Sequence, residues 1–200
     1  MSKIIKDKIK KLKSSATLTI NEECKKLEKS GKKIYKFGFG QSPFPVPDSI
    51  IHALKSNADK HVYLPMQGLE ALRSATADHL NKFNKSNFNQ DDIVIGPGTK
   101  ELMFLIQVAF NGEIILPAPS WVSYQPQALI AENKFHWVQT TRDSNWFITA
   151  KALEDKIKTI KNKNILLFIN SPNNPSGGIC KNLEEIAKVA KKYKILIYSD

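Results

Sequence analysis

The sequence predicts an α/β protein built on a largely parallel sheet flanked by helices. Three observations carry that expectation. Short apolar runs alternate with amphipathic stretches of helical period from about residue 92 onward. The junctions between them are rich in Gly, Pro and Asn. The longest apolar runs, Ile165–Ile169 and Ile195–Tyr198, have the length of buried strands, not of bilayer spans, which need roughly 20 residues.

Taken in order, Ile4 to Leu12 reads as a Lys-rich amphipathic helix or arm. Leu18 to Lys29 reads as a second helix, with Thr19 at its N-cap, Glu22 at N3, and Gly31 ending it. Tyr35–Phe39 has the composition of a short strand. The prolines of Gly40–Pro47 remove donors and restrict their predecessors, which makes that segment a stiff loop. Pro47 to Asn57 and Gly68 to Asn84 are expected helices.

The alternation then begins. Strands are expected at Asp92–Ile95, Glu113–Leu116, Lys134–Val138, Ile165–Asn170 and Ile195–Tyr198. Helices are expected from Gly98 through Phe110, near Tyr124–Asn133, and over Thr149–Lys161 and Leu183–Lys194. Asp200 closes the last apolar run with no helix or polar tail after it, a pattern that predicts a piece of a longer polypeptide.

Composition narrows the function classes. There are 30 basic against 19 acidic residues, a net charge of +11. Lys dominates and the only arginines are Arg73 and Arg142, so the bidentate contacts of a nucleic-acid reader are largely missing. A basic surface still favours anionic ligands. Cys24 and Cys180 have neither CxxC spacing nor a His pattern nearby, which argues against a disulfide framework or a zinc site and fits a cytoplasmic protein. No secretory leader or membrane span is visible in the sequence. The histidines, His52, His61, His79 and His136, show no ligand spacing and read as surface or helix residues.

In an open α/β sheet, ligands meet loops at the carboxyl ends of strands. Gly96-Pro-Gly-Thr-Lys100 joins an expected strand to a helix, where the amides of Gly98, Thr99 and Lys100 suit an anion such as phosphate. A plain strand–helix turn has the same composition, and the loop does not match a nucleotide P-loop. Trp121 follows a proline-stiffened turn and is placed either to stack on a flat ligand or to pack at a core rim. Asn170–Gly177 has the composition of a tight turn presenting side-chain amides. Asp200 is a carboxylate at the end of an apolar strand, where burial demands a cationic partner.

Four segments occur in an order that resembles the class I/II aminotransferases, a branch of the fold-type I pyridoxal-phosphate (PLP) enzymes. Asn170–Gly177 matches that family's N-x-P-x-N-P-[ST]-G. Pro117–Tyr124, Tyr63–Arg73 and the Gly40–Pro47 loop support it, and the similarity runs from about Ser15 to Asp200.

The resemblance implies a fold-type I PLP-transferase. Residues 1–47 would form an N-terminal arm and small-domain segment, and 48–200 an incomplete part of the large PLP-binding domain. By similarity, Gly98, Thr99 and Lys100 hold the cofactor phosphate, Trp121 stacks on the pyridine ring, Asn174 donates to its phenolic oxygen, and Asp200 pairs with the ring nitrogen. Gly40 matches a backbone position near the substrate carboxylate. Tyr63 matches a tyrosine that reaches the partner's phosphate in a homodimer. The implied reaction moves an amino group between an amino acid and a 2-oxo acid, with no membrane or nucleic-acid partner. The family's Schiff-base lysine and its substrate-carboxylate arginine match no position here, so no catalytic residue is assigned. Phe39, Gln41 and Phe44 fall near the expected substrate side chain and hint at apolar or aromatic amino acids. The same cofactor contacts also occur in fold-type I lyases and decarboxylases, and a non-catalytic module of this fold is a further alternative.

Overall fold

The computed structural model describes residues 4–10, 12, 16–38, 40 and 42–200. They form two compact units, Lys13–Gly96 in one and Met1–Leu12 with Pro97–Asp200 in the other.

The second unit is the sheet-bearing one. Strands β1 (Glu113–Ala118), β2 (Lys134–Gln139), β3 (Ile165–Ile169) and β4 (Leu196–Ser199) lie in the order β2-β1-β3-β4. Every neighbouring pair is parallel, with Glu113 opposite both Lys134 and Ile165, and Leu166 opposite Leu196. The connections run through helices α6 (Tyr124–Ile130), α7 (Ala150–Thr159) and α8 (Leu183–Tyr193), while α5 (Thr99–Ala109) precedes the sheet. A parallel ladder requires such crossovers, because a short turn cannot return the chain to the same end of the sheet.

Strand periodicity divides the apolar residues into two cores. Ile114 and Leu116 of β1, with Leu166 and Phe168 of β3, pack with Met103 of α5 and with Tyr124 and Ala128 of α6. Ile115, Leu167 and Ile169 point the other way, against Leu153 and Ile157 of α7 and Ile186 and Ala190 of α8. Both β1 and β3 are buried on two faces, which explains why they read as continuous apolar runs. Each covering helix buries a pair four residues apart, such as Leu153 with Ile157 or Ile186 with Ala190. Thr149 caps α7 by accepting the Ala152 amide at 3.1 Å.

The chain enters the sheet at β1, steps outward to β2, then returns past β1 to β3 and β4. The reversal places helices on opposite faces and opens a crevice between the carboxyl ends of β1 and β3.

In the Lys13–Gly96 unit, helix α2 (Ala16–Lys29) ends as expected at Gly31. With φ of 83°, Gly31 donates to Glu28 O at 2.9 Å while Lys32 donates to Leu27 O at 3.1 Å. The helix begins earlier than expected, so Thr19 lies inside it and is not the N-cap. Helices α3 (Asp48–Lys55) and α4 (Glu70–Asn84) match expectation, as does the short helix α1 (Asp7–Lys10) of the other unit.

Two expected strands do not form. Asn89 accepts from the Asp91 amide at 2.8 Å, and Asp92 accepts from the Asn89 amide at 2.9 Å. This local capping folds Gln90–Asp92 into a 3-10 turn, and Ile95 then donates one bond, to Gln67 O at 2.9 Å, where a strand would need a ladder. Tyr35 and Phe37 are exposed and outside any ladder, because no described strand pairs with them; Phe39 lies outside the described residues. Buried Arg73 ties this unit together, donating to Gln67 Oε1 at 3.2 Å and to Gln90 O at 2.8 Å.

Candidate functional site

The crevice between β1 and β3 is edged by two loops, and one buried side chain joins them. Asn173, in the loop after β3, donates from Nδ2 to Pro119 O at 3.3 Å in the loop after β1. It also donates to Ser176 Oγ at 2.7 Å, and its backbone bonds to Gly178 O and the Gly177 amide, both at 2.7 Å. Trp121 and Asn174 are therefore carried by loops fixed to one another.

Asn170 makes a second link. Its Oδ1 accepts the Asn174 amide at 2.6 Å, and its Nδ2 donates to Asp200 O at 3.0 Å. The Asp200 amide donates to Ile169 O at 2.9 Å, so Asp200 is held at the carboxyl end of β3 although it follows β4.

The Asp200 carboxylate accepts the Tyr124 hydroxyl, which donates to Oδ2 at 2.6 Å. Tyr124 itself is buried, and burial first, then the hydrogen bond to Asp200, raises its pKa far above the ordinary phenol range. It stays a neutral donor. Its ring meets Trp121 edge-on at 5.8 Å and Phe168 at 5.1 Å.

The third element is the start of α5. Gly98 is the N-cap residue, with φ of 121°, a conformation that glycine adopts freely, and nothing stands where its Cβ would be. The first amides of a helix have no acceptor within it, which leaves Thr99 and Lys100 N–H facing outward. Lys100 Nζ lies 5.7 Å from the Trp121 ring centroid. Beneath this turn, Gln127 Nε2 donates to Lys100 O at 2.9 Å, and Gln107 Nε2 donates to Gln127 Oε1 at 3.0 Å.

Contacts thus run without a break from Lys100 through Trp121, Tyr124, Asp200 and Asn170 to Asn174. Anion donors, an aromatic face, a side-chain amide and a carboxylate share one end of the sheet. Gly40 and Tyr63 belong to the Lys13–Gly96 unit, where both are exposed. Phe44 is exposed too, and Gln41, like Phe39, lies outside the described residues.

Tyr124, Asn170, Asn173 and Gln127 were not singled out from sequence as site residues, although Tyr124, Asn170 and Asn173 lie inside the motifs quoted above. His136 is not a lone surface or helix residue: it sits on β2 and bonds Glu113 of β1. Among the described residues no cluster of three His, Cys, Asp or Glu could hold a metal ion, and no helix is long and apolar enough to cross a membrane.

The family described as aminotransferase class I and II matches residues 32–200. An aspartate aminotransferase of Bacillus sp. (strain YM-2) is 33% identical, aligned over 100% of this chain and 52% of its own length. A probable aspartate/prephenate aminotransferase of Aquifex aeolicus is 34% identical over 100% and 52%. Among solved structures, an aspartate aminotransferase from Thermus thermophilus with maleate superposes with a TM-score of 0.86 at 25% identity, covering 98% of this chain and 52% of that one. The Thermotoga maritima aspartate aminotransferase gives 0.86 at 28% identity, covering 98% and 53%. The chain spans about half the length of the relatives it matches.

Proposed function

Because the chain belongs to the class I and II aminotransferase family, we propose that it forms the cofactor-holding part of a PLP-dependent aminotransferase. The observation that carries this reading is the unbroken contact path from the α5 N-terminus to Asn174 at the sheet's switch point.

The residues present fit PLP. Thr99 and Lys100 offer backbone donors to a phosphate, and the bare α of Gly98 leaves room for close approach. Trp121 offers a ring face to a flat heterocycle. Asn174, whose amide is fixed by Asn170, offers its side chain to a phenolic oxygen. Asp200 has one oxygen held by Tyr124 and Oδ1 left for a protonated ring nitrogen. When bound, the cofactor supplies an electron sink for charge developing at the substrate α-carbon.

The chain's own residues hold and orient. The Asp200 carboxylate would accept a hydrogen bond from the ring nitrogen and so favour its protonated form, and the Tyr124 hydroxyl keeps that carboxylate from rotating away. In this reading residues 1–47 are an arm and small-domain segment, and 48–200 belong to the PLP-binding domain. The protein acts as a cytoplasmic homodimer in which exposed Tyr63 reaches the partner's phosphate and Gly40 lies by the substrate carboxylate. Relatives named for aspartate support a dicarboxylic amino acid and its 2-oxo acid as the substrate pair.

The test is a screen of amino donors against the purified natural gene product loaded with PLP, following the absorbance of the bound cofactor. Aspartate or glutamate should change that absorbance and release a 2-oxo acid. If no donor does so, the proposal fails.

A further inference from the structure

The start of α5 does not rest on its own helix alone. Lys100 O, in the same first turn as the exposed amides, accepts Gln127 Nε2 at 2.9 Å from α6. Gln127 is oriented in turn by Gln107, which donates to its Oε1 at 3.0 Å from the far end of α5. Gln107 has no exposed surface and Gln127 is 9% exposed. Asn133, just beyond α6, donates to Gln107 O and ties the base of this relay to the loop before β2.

Two buried amides are costly unless they are paired, so Gln107 and Gln127 occupy places where leucines would cost less unless the hydrogen bonds do something a leucine cannot. Gln107 Oε1 has no partner, so the relay is not a self-satisfied network. It is directional: each amide passes its donor toward Lys100 O. A donor on that carbonyl polarises the peptide group that links Lys100 to Glu101 and fixes the first turn at the height where its amides face outward.

Resting on the PLP reading above, we propose that Gln127 is the positioning residue of the phosphate cup. Its neutral amide, set by Gln107, locks the first turn of α5 so that the Thr99 and Lys100 amides receive the cofactor's phosphate. The side chain does not touch the cofactor and acts only through the backbone of Lys100. The residue type matters as well as the hydrogen bond. A glutamate at this position is isosteric but brings an acceptor and a negative charge under the phosphate.

The experiment compares pyridoxamine 5′-phosphate with pyridoxamine by calorimetry, on the natural gene product freed of cofactor. Neither probe condenses with surface lysines, which matters in a chain with 30 basic residues. Gln127→Leu should weaken the phosphorylated probe about tenfold, the worth of one positioned hydrogen bond, and leave pyridoxamine within about twofold. Gln127→Glu should weaken it further, and raised salt should recover part of the loss. Gln107→Leu, which removes only the orienting contact, should give a smaller loss of the same kind. An equal loss for both probes, or no loss for either, would overturn the role of Gln127. Wild-type protein that shows no preference for the phosphorylated probe would instead overturn the cofactor reading, and this proposal with it.

Discussion

Tyr124 Oη donates a 2.6 Å hydrogen bond to Asp200 Oδ2, joining residues 76 positions apart at one end of the sheet. The hydroxyl is the only polar atom of a ring otherwise packed on Trp121 and Phe168. Tyr124→Phe keeps that packing and removes only the bond. A hydrogen bond to a charged group is worth about 1.5–3 kcal/mol, so turnover in the natural protein should fall roughly ten- to hundredfold. The melting temperature should stay within a few degrees. Because burial and Asp200 hold the phenol far above its ordinary pKa, the wild-type pH profile should show no tyrosine ionisation below about pH 10. An unchanged rate in the Phe variant would remove Tyr124 from the site.

Asn173 lends itself to a stability measurement. Its side chain spans the loops after β1 and β3 from a position 7% exposed. Asn173→Ala leaves Pro119 O and Ser176 Oγ without this donor, at a cost of about 1–3 kcal/mol. Both the denaturation midpoint and the affinity for PLP should drop. Loss of stability with full cofactor affinity would mean that the two loops hold their spacing by other means.

The sheet was largely readable in the sequence because β1 and β3 are buried on both faces and their neighbours carry clear helical period. Strand order was not, since local periodicity does not say that the chain doubles back past β1. For that reason the loops carrying Trp121 and Asn174 could be named while the residue joining them could not. Asp92–Ile95 misled because Ile93 and Ile95 alternate like a strand, whereas the deciding contacts are the side-chain caps of Asn89 and Asp92 just upstream. The Tyr124–Asp200 hydrogen bond was beyond local reading too, since it joins residues 76 positions apart.

Glu113 supplies a pH test remote from the crevice. Burial pushes its carboxyl up, but hydrogen bonds from His136 and Lys134, and their charges, outweigh that and hold it below the ordinary carboxylate range. A depressed folded pKa contributes stability that is present above the unfolded value and is lost as pH falls through the folded one. Wild-type protein should therefore lose melting temperature steeply from about pH 5 downward, and Glu113→Gln should lose less over the same interval. Parallel curves would show that Glu113 titrates alike in the folded and unfolded chain.

Gly178 is where the Asn174 loop meets the turn that precedes α7. A Cβ at Gly178 would stand 2.1 Å from Asn145 O, inside any permitted contact. The opposing turn has little freedom to yield. Asn145 and Trp146 both sit in the left-handed region, with φ of 53° and 54°, and Asn145 Nδ2 donates to Ile179 O at 3.1 Å. Gly178 O accepts the Asn173 amide at 2.7 Å, so displacing Gly178 displaces the brace as well. Gly178→Ala should therefore cost about 1–3 kcal/mol and weaken PLP binding in the same variant. Gly177→Ala is the control: its φ is 70° but nothing lies within 4 Å of the added carbon, so only a backbone cost of about 1–2 kcal/mol is expected, with binding kept. Urea unfolding and PLP titration of the two variants separate these outcomes. If both alanines lose affinity equally, contact with Asn145 is not what sets the loop, and backbone conformation alone accounts for the glycine pair.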